Sequence, residues 1–156
     1  MAVQDLYRDA VLAHNRAPRR FGRLDAPTHA ADGDNPMCGD HLHCDVIVRD
    51  GAIDDLRFDG EACAIGIAAA STLVDLVVTR DAAHVAALRA DFAAWLRDGA
   101  EAPRDSFGDL NALAELRRYP SRHGCALLAF ATLEAALRGD ARATSHHDPA
   151  GTPTTP

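Results

Sequence analysis

Leu42-His43-Cys44-Asp45-Val46-Ile47-Val48, followed by Arg49-Asp50-Gly51 and then by Ile53-Asp54-Asp55-Leu56-Arg57-Phe58, is the stretch that decides the fold. The first run alternates apolar and polar residues with the two-residue period of a strand. Asp50-Gly51 is a strong hairpin signal, because glycine reaches positive φ at little cost. The chain then returns over Ile53 to Phe58 as a second strand. Leu42, Cys44 and Val46 share one strand face. Cys44 therefore reads as a core residue, in keeping with how often a free cysteine is buried. His41 and His43 take the opposite face and read as surface histidines.

On the N-terminal side, Asp5 to Asn15 reads as a helix, with Leu6, Val11 and Leu12 apolar. Ala17-Pro18-Arg19-Arg20-Phe21-Gly22 stops it, since proline cannot continue the helical ladder. Residues 23–37 hold prolines, aspartates and a glycine and read as irregular. On the C-terminal side, Ala64 to Val78 predicts a small-residue helix able to pack closely on the hairpin. Asp81 to Arg97 carries Val85, Leu88, Phe92, Trp95 and Leu96 at helical spacing. Gly99 to Arg104 reads as a polar loop. Ser106-Phe107-Gly108-Asp109 has the look of a capping box ahead of a helix bearing Leu110, Leu113 and Leu116. Tyr119-Pro120 ends that helix, and Cys125 to Leu137 forms the last one. Asp140 to Pro156 lacks periodicity and reads as a disordered tail. The expected fold is α+β: a small antiparallel β-sheet, with the hairpin as its core, packed against several α-helices. One domain spans residues 1–138, and the tail takes 139–156.

The 156 residues suffice for one domain with a core but hardly for two. A net charge of −7 and a pI near 5.5 argue against nucleic-acid binding, which needs a basic face. No run approaches the roughly 18 apolar residues of a membrane span. Met1-Ala2-Val3-Gln4-Asp5 leads into a helical pattern without signal-peptide character. The expectation is a cytoplasmic protein with neither nucleic acid nor membrane as partner. In a reducing compartment its four cysteines read as ligands, nucleophiles or core residues rather than disulfides.

Cys38 and Asp40 lie in Asn35-Pro36-Met37-Cys38-Gly39-Asp40, just before the first strand of the hairpin. Cys63 follows the second strand, and Cys125 opens the last helix. Each stands at an element boundary, where side chains can project into one shared pocket. Three soft thiolates and one hard carboxylate make a tetrahedral set that zinc accepts and that iron–sulfur chemistry could also use. A helix N-terminus would lower the Cys125 pKa, and Arg122 would reinforce that. The plainer readings are a turn for Cys38-Gly39-Asp40 and small buried apolar residues for Cys63 and Cys125. His123 reads as a solvated loop histidine ahead of a ligand. His146-His147 could bind metal only weakly, without a fixed shell.

Five segments recur in the order of a known family: Tyr7 to His14, Pro18 to Gly22, Asn35 to Asp40, Phe58 to Gly66 and Arg122 to Leu128. On them the chain resembles the iron–sulfur cluster assembly proteins of the IscU/NifU type over about residues 5 to 138. The helical stretch between Cys63 and Cys125 is similar to the insertion of the SufU branch. The resemblance implies a SufE/NifU-like α+β scaffold with Cys38, Asp40, Cys63 and Cys125 as metal ligands at one exposed end. It implies zinc there, with Cys38 accepting persulfide sulfur from a SufS-type cysteine desulfurase and Arg122 supporting it. In that scheme a desulfurase histidine takes a place on the zinc and frees Cys38. IscU-like members imply instead a [2Fe–2S] cluster, or iron, on the same ligands, for delivery to apoprotein recipients. Other SUF components are further implied partners. His123-Gly124 stands where the family pattern has an aliphatic residue and a lysine, and alanines and glycines largely replace serines over residues 64–70.

Overall fold

The hairpin forms where its alternation places it. In the computed structural model, which describes residues 3–98 and 103–144, strand β1 spans His29–Asn35, β2 Asp40–Arg49, β3 Ala52–Glu61 and β4 Arg142–Thr144. Asp50 and Gly51 both take positive φ (54° and 78°), the backbone a tight two-residue turn needs. The sheet order is β3-β2-β1-β4, with β2 antiparallel to both its neighbours and β4 parallel to β1. Leu42, Cys44 and Val46 are fully buried, as are Leu56 and Phe58 across the ladder.

Helices α1 (Val3–Arg16), α2 (Ala64–Val77), α3 (Ala82–Asp98) and α4 (His123–Arg138) complete the fold, with a 3-10 segment over Asp105–Arg118. The apolar helix α4 is central, packing on β1 and β2 and against α2 and α3. Phe92 of α3 lies 5.6–5.8 Å, centroid to centroid, from Trp95, Phe107 and Phe130. This cluster joins α3 and the 3-10 segment to α4. Phe92→Ala is expected to cost about 3–5 kcal/mol of stability, read by urea denaturation. No helix among the described residues is long and apolar enough to cross a membrane.

Three regions differ from the sequence reading. Residues 29–35, expected to be irregular, form β1. His-Ala-Ala-Asp-Gly-Asp-Asn has weak strand propensity, yet its inward residues must be small because α4 approaches closely. A Cβ on Gly33 would fall 1.9 Å from Thr132 Oγ1. Cross-strand pairing of Asp32 with His43 and Asp34 with His41 holds its outer face.

The helix expected after a capping box is instead a series of 3-10 turns, interrupted at Gly108 (φ 52°) and without a side-chain cap. Leu110, Leu113 and Leu116 recur every three residues, the spacing that stacks side chains on one 3-10 face, and all three are buried. Asn111 does the work of a cap by bonding both backbone groups of Arg104 (2.9 and 2.7 Å).

Finally, the chain beyond Gly139, read as the start of a disordered tail, adds β4 to the sheet edge. Its Ala143 packs against the core. Residues 145–156, including His146-His147, lie outside the described residues, as do residues 99–102 of the loop expected over 99–104.

Burial pushes the Cys44 thiol above its ordinary range, and the Asp45 carboxylate adds to this. An unfolded thiol ionises near pH ~8.5. The raised folded value therefore means that Cys44 contributes stability fully below that pH and loses it as pH rises further. The loss is about 1.4 kcal/mol per pH unit. In metal-free protein, Cys44→Ala should show a shallower alkaline loss of stability than the parent, measured by denaturation between pH 8 and 10.

Candidate metal centre

The site lies at the end of the sheet opposite the Asp50-Gly51 turn. β1 ends there at Asn35, β2 begins at Asp40, and α2 and α4 start beside them. Asn35 builds the intervening turn. Its Oδ1 accepts from the Met37 N–H (3.1 Å), an Asx-turn, and its carbonyl accepts from the Gly39 N–H (2.8 Å). Gly39 sits at φ 77°. Asn35 is itself buried, and its Nδ2 approaches Cys125 Sγ at 3.8 Å.

Cys38, Asp40 and Cys125 come together here, each offering a ligand atom within 4.8 Å of the others. The Cys38 and Cys125 sulfurs are 3.4 Å apart. Cys38 is exposed, whereas Cys125 and Asp40 are 1% and 6% exposed. Cys63 stands beside this trio as the N-cap of α2. Its backbone N–H donates to Asp40 Oδ1 at 2.9 Å, and its thiol interacts with both Asp40 and Cys125. Arg122 is exposed, three residues before Cys125.

The remaining oxygen, Asp40 Oδ2, is buried without a hydrogen-bond partner among the described residues. A buried carboxylate oxygen left unbonded is costly, so such an atom points to a cation. Gly66 keeps room next to it, since a Cβ there would lie 3.1 Å from Oδ2 and 3.6 Å from the Cys125 carbonyl. A carboxylate orphaned among three cysteines fits a thiophilic divalent metal such as zinc.

Without metal, burial foremost raises the Cys125 thiol above its ordinary value, and the neighbouring Cys38 and Cys63 add to this. Cys63 is likewise raised, by burial first. Desolvation thus overrides the helix-terminus effect expected for Cys125. Raised in this way, the Cys63 and Cys125 thiols favour the protonated form.

Nearby histidines have other occupations. His123, expected to be solvated, is buried and bonds the Leu116 carbonyl through Nε2 at 2.8 Å. His41 bonds Asp34 and Asp32, and His43 bonds Asp32 and Asp45, on the outer sheet face.

Three residues carry structural roles that the sequence reading quoted only as parts of motifs: Asn35, Gly66 and His14. His14 is buried and joins α1 to Ser71 of α2 (2.6 Å) and to Asp109 of the 3-10 segment (2.8 Å). Asn-Pro ahead of Cys38 was the available signal for Asn35. For Gly66 and His14 the only mark was membership of the family-like segments.

Cysteines and a buried carboxylate gathered at one end of an α+β scaffold define the class. The chain belongs to the family of NifU-like N terminal domains, whose profile matches residues 6–126. It is 32% identical over 142 residues to the iron-sulfur cluster assembly scaffold protein IscU of Streptococcus pyogenes serotype M1, covering 90% of this chain and 88% of that one. It is 28% identical over 132 residues to the zinc-dependent sulfurtransferase SufU of Bacillus subtilis, covering 85% and 89%. Among solved structures, the N-terminal part of a nitrogen-fixing NifU-like protein from Brucella abortus superposes with a TM-score of 0.78 at 27% identity, covering 88% and 95%.

Proposed function

We propose that this chain serves iron–sulfur cluster assembly as a zinc-dependent acceptor of persulfide sulfur from a SufS-type cysteine desulfurase in the cytoplasm. Cys38, Asp40, Cys63 and Cys125 hold the metal, Cys38 accepts the sulfur, and Arg122 supports it. The observation that carries this reading is the orphaned Asp40 Oδ2 inside a cysteine-lined space.

Zinc supplies a charge that keeps the thiols ionised at neutral pH. Cys38 is the exposed ligand and therefore the one a partner can reach. Its thiolate attacks the outer sulfur of the desulfurase persulfide. The S–S bond breaks, the electron pair returns to the desulfurase cysteine as thiolate, and Cys38 leaves as the persulfide. Met37, 70% exposed beside it, offers an apolar contact for that partner.

A second reading, a scaffold that assembles a [2Fe–2S] cluster on the same ligands and passes it to apoproteins, is supported by the likeness to the streptococcal IscU scaffold. Purification without oxygen separates the two. The first predicts a colourless protein with about one zinc per chain that stimulates the desulfurase. Iron with acid-labile sulfide and visible absorption would establish the second instead. Removal of the metal by a chelator should leave the far-ultraviolet circular dichroism intact, because the core described above does not depend on the site. Loss of the helices would identify a zinc that only staples the fold.

Zinc uptake should also release protons from the raised Cys63 and Cys125 thiols. Affinity should therefore rise with pH between 6 and 8, by about tenfold per unit for each proton displaced. A pH-independent affinity would contradict thiol ligation.

A further inference from the structure

Asn35 bonds to both of the cysteines whose sulfurs lie 3.4 Å apart. It closes β1 and is 1% exposed. Its backbone carbonyl accepts from the Cys38 and Gly39 N–H groups (3.3 and 2.8 Å), and its Oδ1 from the Met37 N–H (3.1 Å). The Met37 N–H needs an oxygen on its side of the amide. Nδ2 is therefore turned to the other side, where it donates to Cys125 Sγ at 3.8 Å.

A persulfide on Cys38 has Cys125 as its neighbour, and that closeness is a hazard. An ionised Cys125 could attack Cys38 Sγ. A new S–S bond would join the two cysteines as the bond to the outer sulfur breaks, and the outer sulfur would leave with the bonding pair as hydrosulfide. No outside oxidant is needed, because the outer sulfur is reduced to sulfide while the two cysteine sulfurs become a disulfide. The sulfur just collected would be lost to solvent. A thiolate that receives a hydrogen bond is a weaker nucleophile, and in a buried site water does not compete for that bond.

Resting on the proposed reading of Cys38 as sulfur acceptor, we infer that Asn35 is a positioning residue that keeps the Cys125 sulfur from attacking a Cys38 persulfide. Its amide restrains the inner sulfur, and its carbonyl holds the turn that carries the outer one. The sulfur thereby stays on the exposed cysteine, where a recipient can reach it.

The test compares the full zinc-loaded chain with Asn35→Ser. A serine hydroxyl still accepts from the Met37 N–H, as in an ST-turn, but is too short to reach Cys125. Each protein receives sulfur from the desulfurase and cysteine, is separated from both, and is followed by sulfide release and by mass spectrometry without reductant. The variant should release sulfide about tenfold faster than the parent, the lower end for losing a hydrogen bond to a charged acceptor. One Cys38–Cys125 disulfide should form for each sulfide released. With cobalt(II) loaded in place of zinc, the thiolate-to-metal charge-transfer band of the variant should move to lower energy, a signature that a merely loosened turn does not give. Asn35→Thr repeats the comparison if circular dichroism shows that Asn35→Ser does not fold. Equal rates of sulfide release, release without the disulfide, an unmoved band, or rapid disulfide formation in the parent would each overturn the inference and leave Cys38 as the acceptor. A parent that takes up no sulfur would overturn both.

Discussion

Cys125→Ser is expected to weaken zinc binding by at least about a hundredfold, because changes merely in the groups around metal ligands already cost 10–100-fold. Cys125 is 1% exposed at the start of α4, with its sulfur 3.4 Å from that of Cys38. A serine hydroxyl fills nearly the same space but does not ionise at neutral pH and is a harder ligand, so the centre loses a thiolate while α4 keeps its packing. Competition against a chromogenic chelator reads the affinity, and circular dichroism confirms the fold. An affinity within threefold of the parent would remove Cys125 from the ligand set.

A large loss of stability is expected from Gly60→Ala. Gly60 takes φ 127°, a region closed to alanine at ordinary energy, and a Cβ there would lie 2.3 Å from the His41 carbonyl oxygen and 3.1 Å from Leu42 Cα. Both neighbours are backbone of β2, one and two residues after Asp40, and neither can move aside as a flexible side chain would. Backbone strain and overpacking each cost about 1–3 kcal/mol, so a loss of about 3 kcal/mol or more is expected in denaturation, with weakened metal retention because β2 carries Asp40. Gly39→Ala provides the control. Gly39 also has positive φ (77°), but nothing lies within 4 Å of its Cβ position. It should cost only about 1 kcal/mol. Equal losses in the two variants would mean that the β2–β3 contact at Gly60 is not the cause.

The sequence made legible what local pattern controls. Alternation and Asp50-Gly51 defined β2, β3 and their turn, and the apolar runs marked α2, α3 and α4. The burial of Cys44 followed from its strand face. What local pattern does not control stayed hidden. β1 is a strand because α4 demands Ala31 and Gly33 beneath it and because β2 supplies a partner, both tertiary causes. Leu110, Leu113 and Leu116 fit a helix or 3-10 turns equally well on paper, and Gly108 decides between them through its φ of 52°. β4 has three residues, too few to show a period.

At the site, ligand chemistry and motif order brought Cys38, Asp40, Cys63 and Cys125 into view. The geometry draws Cys38, Asp40 and Cys125 together and sets Cys63 alongside. His123 could not be assigned from its position near Cys125, because its partner is a carbonyl seven residues earlier in the chain. The raised thiol pKa of Cys125 was equally out of reach, since it depends on burial and on two other cysteines arriving from distant segments.

Sulfur mapping decides whether Cys38 is the residue that accepts sulfur. Zinc-loaded protein is incubated with the desulfurase and cysteine, alkylated, digested and analysed by mass spectrometry. One added sulfur atom is expected on the peptide carrying Cys38 and none on that carrying Cys44, with acceptance abolished in Cys38→Ala. Undiminished sulfur acceptance by Cys38→Ala, or added sulfur found only on another cysteine, would contradict it.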